Sequence, residues 1–311
     1  MNGWLIVNGF LRSAKFDDLY GLLADAFRAR GVPLTLFPNT AFATPFGEPL
    51  TPLTPLKPLK PLTPLKPDFV LFWDKDIALA QRLEDAGIPV FNSSAAIACC
   101  DDKIATARAL VRHGVPTPRT IPAPKTFEGV ERATLAFVRD AADCLGLPLV
   151  IKEAFGSFGQ QVHLARTLEE AESLVRQIGH KDFLLQEFIA SSAGTDLRVN
   201  VVGGEAVAAM RRRSAEDFRS NVTRGGRTER ATPTPAQRDA AVAACRAVGA
   251  DFAGGDILFG PNGEPLVCEV NSNPHFRSTL DCTGVNLAEA IAAHVMRQAK
   301  CGPGHASLRI P

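Results

Sequence analysis

Apolar residues occur in short runs broken by glycine, proline and acidic caps, and these runs predict alternating strands and helices from the start of the chain. Trp4–Val7 reads as a buried strand closed by Asn8-Gly9, and Asp17 or Asp18 is placed to cap a helix running to about Arg30. Gly31 stops that helix, and Val32–Phe37 and Phe69–Trp73 read as further strands. A helix led by Asp74-Lys75-Asp76 and a short strand at 88–91 follow, then a capping triplet Asn92-Ser93-Ser94. The β-α-β order predicts a small α/β lobe with parallel strands over residues 1–95.

The pattern then changes. Asp102-Lys103 leads a helix over 104–112, and the Pro-rich 115–120 stretch cannot be helical, so it reads as an extended connection. Leu149–Glu153 is a strand carrying Lys152, followed at once by Gly156-Ser157-Phe158-Gly159. Small residues after a Lys-bearing strand let backbone N–H groups approach phosphate oxygens, although such loops are also plain turns. Phe183–Ile189 is an apolar strand whose late residues include Gln186 and Glu187; its backbone suits an adenine edge or an ordinary core.

Residues 196–202 and 206–210 read as a hairpin, and Pro235–Val248 as a helix. The stretch 251–276 reads as two strands, 255–259 and 265–270, around a Gly-Pro-Asn-Gly turn. Period-2 alternation puts Glu269 and Asn271 on one face, where Asp256 can join them from across the hairpin. Two carboxylates and an amide oxygen form a hard site suited to Mg²⁺, with Mn²⁺ as an alternative. Acids that interrupt apolar segments need a partner, and a metal supplies one. A last helix over 287–297 precedes a loose tail, 301–311.

Two stretches stand apart. Residues 51–67 repeat a Thr/Lys-Pro-Leu unit whose proline density favours polyproline II. It reads either as an expanded surface loop or as a proline-rich ligand for an aromatic groove. Arg211, Arg212, Arg213, Arg219, Arg224 and Arg227 form a local basic cluster. A solvated face, a phosphate or carboxylate site and a nucleic-acid surface all fit it.

Composition narrows the classes. The net charge of +1 argues against a global nucleic-acid or membrane partner, and no run approaches the roughly 18 apolar residues of a span. Seven cysteines with no CxxC spacing fit reduced thiols, and MNGWLIVNGF reads as a first strand rather than a signal peptide. The expectation is a soluble cytoplasmic protein; a homo-oligomer is compatible with the sequence.

Taken in order, Asp102-Lys103, Lys152 with the glycine-rich loop, Gln186-Glu187-Phe188-Ile189, Asp196-Leu197-Arg198, Phe218-Arg219-Ser220-Asn221 with Arg224-Gly225-Gly226, Asp256 and Glu269-Val270-Asn271 resemble the RimK-like ligases of the ATP-grasp superfamily. The resemblance implies an α/β chain: an N-terminal parallel-sheet domain, then an ATP-grasp fold with a central lobe over 96–190 and a C-terminal lobe over 191–300. It implies that Lys103 and Lys152 contact ATP phosphates, that Glu187 and Phe188 hold adenine, and that Asp196 lies near the ribose. Arg219, Ser220 and Asn221 would line the phosphate side, Arg212 and Arg219 would form a charge clamp, and Asp256, Glu269 and Asn271 would bind magnesium. The implied reaction joins a small-molecule or peptide carboxylate to an amino acid, glutamate by family default, through an acyl phosphate with release of ADP. Ser272–Arg277 departs from the family's usual turn, which makes His275 and Arg277 candidates for the acceptor side, and Arg198 is a further candidate there. A small-molecule kinase on the same fold, a non-catalytic nucleotide-binding protein and a nucleic-acid binder are the competing readings.

Overall fold

A computed structural model of the chain describes residues 1–11, 13–48, 50, 52, 66–157, 159–220 and 226–301, and the elements and contacts given are those of these residues. Nearly all of the Thr/Lys-Pro-Leu repeat, Phe158, Asn221, Arg224, Gly225 and most of the C-terminal tail lie outside them.

The first lobe contains β1 (Gly3–Val7), α1 (Ala14–Arg28), β2 (Leu34–Pro38), β3 (Phe69–Trp73), α2 (Ile77–Asp85) and β4 (Val90–Phe91). Its strands pair in parallel in the order β2-β1-β3-β4. Both faces are covered, which explains the unbroken apolar runs. Leu5, Val7, Phe69, Leu71 and Trp73 share one core with α1, while Trp4, Ile6, Val70 and Phe72 share another with α2. Helix α1 begins earlier than the acidic residues suggested: Ser13 is its N-cap, and Asp17 lies inside the first turn. Asp76 caps α2 by accepting from Leu79 N–H.

Next come α3 (Ser94–Asp101) and α4 (Lys103–Arg112), the latter capped by Asp102 accepting from Ile104 and Ala105 N–H. The central sheet, order β5-β8-β6-β7, is built from β5 (Thr120–Pro122), β6 (Leu149–Glu153), β7 (Val162–Ala165) and β8 (Phe183–Glu187), with α5 (Ala136–Leu145) and α6 (Leu168–Ile178) packed against it. Leu110, with Cys99, Cys100 and Ala109, packs into the C-terminal core, while the Lys103 N–H at the start of α4 donates to the Ala154 carbonyl just past β6, so α4 bridges the last sheet and the central one.

That last sheet contains β9 (Thr195–Val202), β10 (Glu205–Arg213) and β11 (Arg227–Arg230), then after α7 (Pro235–Ala247) the hairpin β12 (Phe252–Phe259) and β13 (Pro265–Asn271). It is antiparallel in the order β11-β10-β9-β12-β13. Alternation divides its faces: Leu197, Val199, Val201 and Ile257 bury against α7, leaving Asp196, Arg198 and Asp256 for the other side. The chain closes with α8 (Arg277–Thr283) and α9 (Leu287–Cys301). Phe276, Leu287, Ile291 and Val295 join the core of the first lobe, so the chain's two ends share one interior. Buried Asn92 stitches the same parts: its Nδ2 donates to the carbonyls of Phe252 and Ser272, and its Oδ1 accepts from Asp251 and Phe252 N–H.

Six cysteines, Cys99, Cys100, Cys144, Cys245, Cys268 and Cys282, are free thiols. Among the described residues no helix is long and apolar enough to cross a membrane.

Candidate active site

The central and C-terminal sheets face each other across a cleft of about 890 Å³, its open mouth included. One wall carries Lys152 on β6 and Gly156 and Gly159 beyond it, the back carries Gln186, Glu187, Phe188 and Ile189, and the floor carries Asp196, Arg212, Asp256 and Glu269. Lys103, at the start of α4, enters from the side and donates from Nζ to the Gly156 carbonyl at 3.0 Å. Burial pushes the Lys103 ammonium down, Glu269 partly opposes this and Lys152 adds to it, so these three charges stand close together. The side chains of Lys152 and Glu269 make no hydrogen bond or ion pair with other described residues.

The β12–β13 register sets Asp256 opposite Glu269 and Gly254 opposite Asn271, as alternation predicted. A bulge between Asp256 and Ile257 leaves Cys268 as the extra residue, and Cys268 lines the cleft beside Glu269. Sequence periodicity gave no signal for this. Burial pushes its thiol up to about 12.

Asp256 differs from the expectation. Arg198 takes both of its oxygens, Nη2 at 2.8 Å from Oδ2, and Arg212 Nη2 lies 2.9 Å from the same oxygen. Burial alone would raise the Asp256 carboxyl, but the two arginines outweigh it and hold it below the usual range. Asp256 is therefore half of a buried charge ladder at the floor of the cleft, with both oxygens engaged by arginine. Asp196 is the other half: it accepts from Arg212 Nε at 2.7 Å and Nη2 at 2.5 Å, and from the Ser220 hydroxyl. Asp196, Ser220 and Arg212 all line the cleft, so the ladder stands where the resemblance places ribose, phosphate and clamp contacts. Burial works against the Arg212 charge, yet Asp256 and Asp196 hold the guanidinium well above its ordinary range. Gly254 packs closely beside this ladder: a Cβ there would stand 2.9 Å from Arg198 Nη1 and 3.1 Å from Pro274 Cβ.

Arg219 is engaged as well. Its guanidinium is bidentate on Asp217, and Nη1 donates to the carbonyls of Gly159 and Val162, each at 2.7 Å. It holds the β6–β7 turn from within the cleft lining. Gly194, at φ +64, secures the 214–218 loop, donating to the Phe218 carbonyl and accepting from Ser214 N–H, both at 2.8 Å. Glu187 is only partly open to a ligand: its N–H donates to the Arg119 carbonyl, and its carboxylate accepts from Arg119 N–H at 2.7 Å. The N–H groups of Phe188 and Ile189 bond to no other described residue.

The acceptor-side candidates scatter. Arg198 lies in the ladder, whereas His275 and Arg277 are outside the cleft and tie the segment after β13 to α1. His275 Nε2 is 3.2 Å from the Lys15 carbonyl, and Arg277 is bidentate on Asp18 at 2.9 and 2.8 Å. Burial lowers the His275 pKa. The basic cluster also disperses, since Arg211 and Arg213 pair with Glu229.

For a divalent cation, Glu269 and Asn271 fit: both present oxygen, and the Glu269 carboxylate has no internal partner. Asn271 donates weakly from Nδ2 to the Gly254 carbonyl at 3.5 Å, which leaves Oδ1 as an acceptor. Among the described residues no group of three or more His, Cys, Asp or Glu is poised to hold a metal, so substrate oxygens or water would complete the shell.

The model of the RimK-like ATP-grasp domain matches residues 100–295. This chain belongs to the RimK-like ATP-grasp family. It is 36% identical over 226 residues to a probable alpha-L-glutamate ligase of Thioalkalivibrio sulfidiphilus, covering 72% of each chain. It is 37% identical over 236 residues to one of Picosynechococcus, covering 75% of each. Among solved structures, a RimK domain ATP-grasp protein from Sphaerobacter thermophilus aligns with TM-score 0.68 at 23% identity over 94% of this chain and 99% of its own. D-cycloserine synthetase aligns at 0.72 with 17% identity, over 96% and 100%; at such identities the likeness shows the fold. As a member of this family, the protein is an ATP-dependent carboxylate–amine ligase.

Proposed function

We propose that the protein condenses an α-amino acid, glutamate in the first instance, with a carboxylate on a small molecule or peptide, converting ATP to ADP and phosphate. The observation that carries this reading is the convergence of Lys103, Lys152 and Glu269 in one cleft, with Lys152 and Glu269 lacking internal partners. Two ammonium groups beside a glycine-rich turn suit a polyphosphate. Glutamate as the amine rests on the names of the relatives.

Lys152 and Lys103 neutralise phosphate charge, and the turn that Arg219 holds covers it. Phe188 and Ile189 offer N–H groups to an adenine edge, and Phe188 stands edge-on to Phe218 with ring centroids 6.3 Å apart. Glu269 and Asn271 would hold Mg²⁺, which when bound would supply charge neutralisation at the phosphate oxygens. The buried ladder fixes the floor on which Glu269 stands. Phosphorylation of the carboxylate makes an acyl phosphate, the amine attacks its carbon, and phosphate leaves. The chain's contribution is positioning and charge, with no covalent nucleophile of its own.

The test mixes protein, Mg-ATP, pooled amino acids and candidate carboxylates, with Lys152→Ala alongside. ADP together with a product heavier by one condensed amino acid, absent in the variant, supports the reading. ADP with a phosphorylated product indicates a kinase, and AMP with pyrophosphate excludes an acyl phosphate.

A further inference from the structure

A turn of glycines and a serine has few side chains with which to fix itself, so its position over the cleft depends on what grips it from outside. Arg219 grips the far end, at the Gly159 and Val162 carbonyls. The near end is held from the other side. Lys103 donates from N–H to the Ala154 carbonyl and from Nζ to the Gly156 carbonyl, both at 3.0 Å. The next residue, Ser157, is met from the first lobe: Lys75 Nζ lies 3.2 Å from its hydroxyl oxygen. Lys75 Nζ also donates to Asp101 at the end of α3, and Asp101 stands two residues before Lys103. Positions 154, 156 and 157 are thus tied down by two lysines that Asp101 links.

The backbone from which Lys75 springs is itself fixed. Its N–H donates to Asp74 Oδ1 at 2.8 Å, and the same oxygen accepts from Asn8 Nδ2 at 3.0 Å. Asn273, two residues beyond Asn271, donates from Nδ2 to the Asp74 carbonyl at 2.8 Å. The first lobe, the segment after β13 and the glycine-rich turn therefore meet at this lysine. Burial comes first in lowering the Lys103 ammonium, and Lys75 and Asp101 are among the charges acting on it, in opposite senses. The Lys75 side chain is 44% exposed, so its ion pair with Asp101 adds little to stability. What the pair does is aim a donor at Ser157.

We propose that Lys75 is a positioning residue of the nucleotide site: oriented by Asp101, it latches the Ser157 hydroxyl so that the glycine-rich turn lies over the ATP phosphates. An ammonium group has only donors, and the hydroxyl oxygen accepts one of them. The first lobe is by this link a part of the ATP site. The inference rests on the reading of the cleft as that site and names the residue that joins it to the first lobe.

The test is a double-mutant cycle on the full chain, read as the Kd for Mg-ATP by calorimetry with no carboxylate or amine present. Lys75→Met removes the ammonium and keeps the length of the side chain; Ser157→Ala removes the hydroxyl. Each should raise the Kd roughly fivefold, the loss of one charge-assisted hydrogen bond that reaches the ligand through the turn. The double variant should bind no more weakly than the weaker single, because both changes remove one link. Urea midpoints should match the wild type, whereas a purely structural role would lower them and spare the Kd. If the wild type binds Mg-ATP and either single variant binds it equally well, or the two effects simply add, Lys75 does not act through Ser157 and the inference falls alone. If the wild type binds no Mg-ATP, the reading of the cleft falls and takes this inference with it.

Discussion

Arg219 and Asp217 form a bidentate pair, Nε to Oδ1 at 2.9 Å and Nη2 to Oδ2 at 2.7 Å, which leaves Nη1 to grip the carbonyls of Gly159 and Val162. The pair orients the guanidinium, and the guanidinium holds the turn over the cleft. Charge-assisted hydrogen bonds contribute about 1.5–3 kcal/mol each, part of which reaches ligand binding only through the turn. Arg219→Ala should raise the KM for ATP by roughly tenfold, about 1.4 kcal/mol, and make the turn more sensitive to proteolysis. Arg219→Lys should recover only part, since an ammonium cannot reproduce the fork. An unchanged KM for ATP in both variants would refute the role.

The buried ladder predicts a stability effect. Arg212→Met strands Asp196 and loosens Asp256, and removing one partner of a buried pair costs about 3–5 kcal/mol. Urea denaturation should show that loss. Adding Asp196→Asn should restore part of it, giving a coupling term in the double-mutant cycle. Strict additivity of the two changes would contradict the pairing.

Asn92 makes four hydrogen bonds, three of them buried, that join the first lobe to β12 and the segment after β13. Orphaned buried groups cost about 1–3 kcal/mol each, so Asn92→Ala should destabilise by about 3 kcal/mol or more. Kinetic constants of the folded fraction should hardly change. A denaturation midpoint equal to that of the wild type would show that water replaces the amide without loss.

Asp74 predicts a pH dependence of stability. Burial raises its carboxyl, against the hydrogen bonds from Asn8 and Lys75 N–H; Asp76 adds to the rise and the Lys75 charge opposes it. A raised folded-state value means that above it the charged carboxylate costs the native state stability. Below the unfolded value, about 3.9, both states are neutral and the cost is gone. Asp74→Asn should therefore raise the urea midpoint at pH 7.5, and the gain should shrink as pH falls through the folded value towards about 4. A gain that is constant across the range would disprove the titration.

The sequence by itself determined much of this architecture. Strict runs such as Phe69–Trp73 marked strands buried on both faces, and Asp102 marked the start of α4. Alternation set 197, 199 and 201 against 196, 198 and 200, and it brought Asp256, Glu269 and Asn271 to one face because a strand's side-chain period is two. The order of motifs was enough to point to the family that the matched domain then established.

Partners were decided only by the tertiary structure. Arg198 meets Asp256 because β9 lies beside β12 in one register, 58 residues apart in the chain. Arg219 reaches back 60 residues to Gly159, and Asn92 reaches forward 180 to Ser272. Periodicity reports only which way a side chain faces relative to its near neighbours. Whether a charged group is free for a ligand depends on which distant group the packing brings against it, and long guanidinium side chains span such gaps. That is why Lys152 and Glu269 stand open while Arg212, Arg219, Asp196 and Asp256, equally prominent in the sequence, are held by one another or by the backbone.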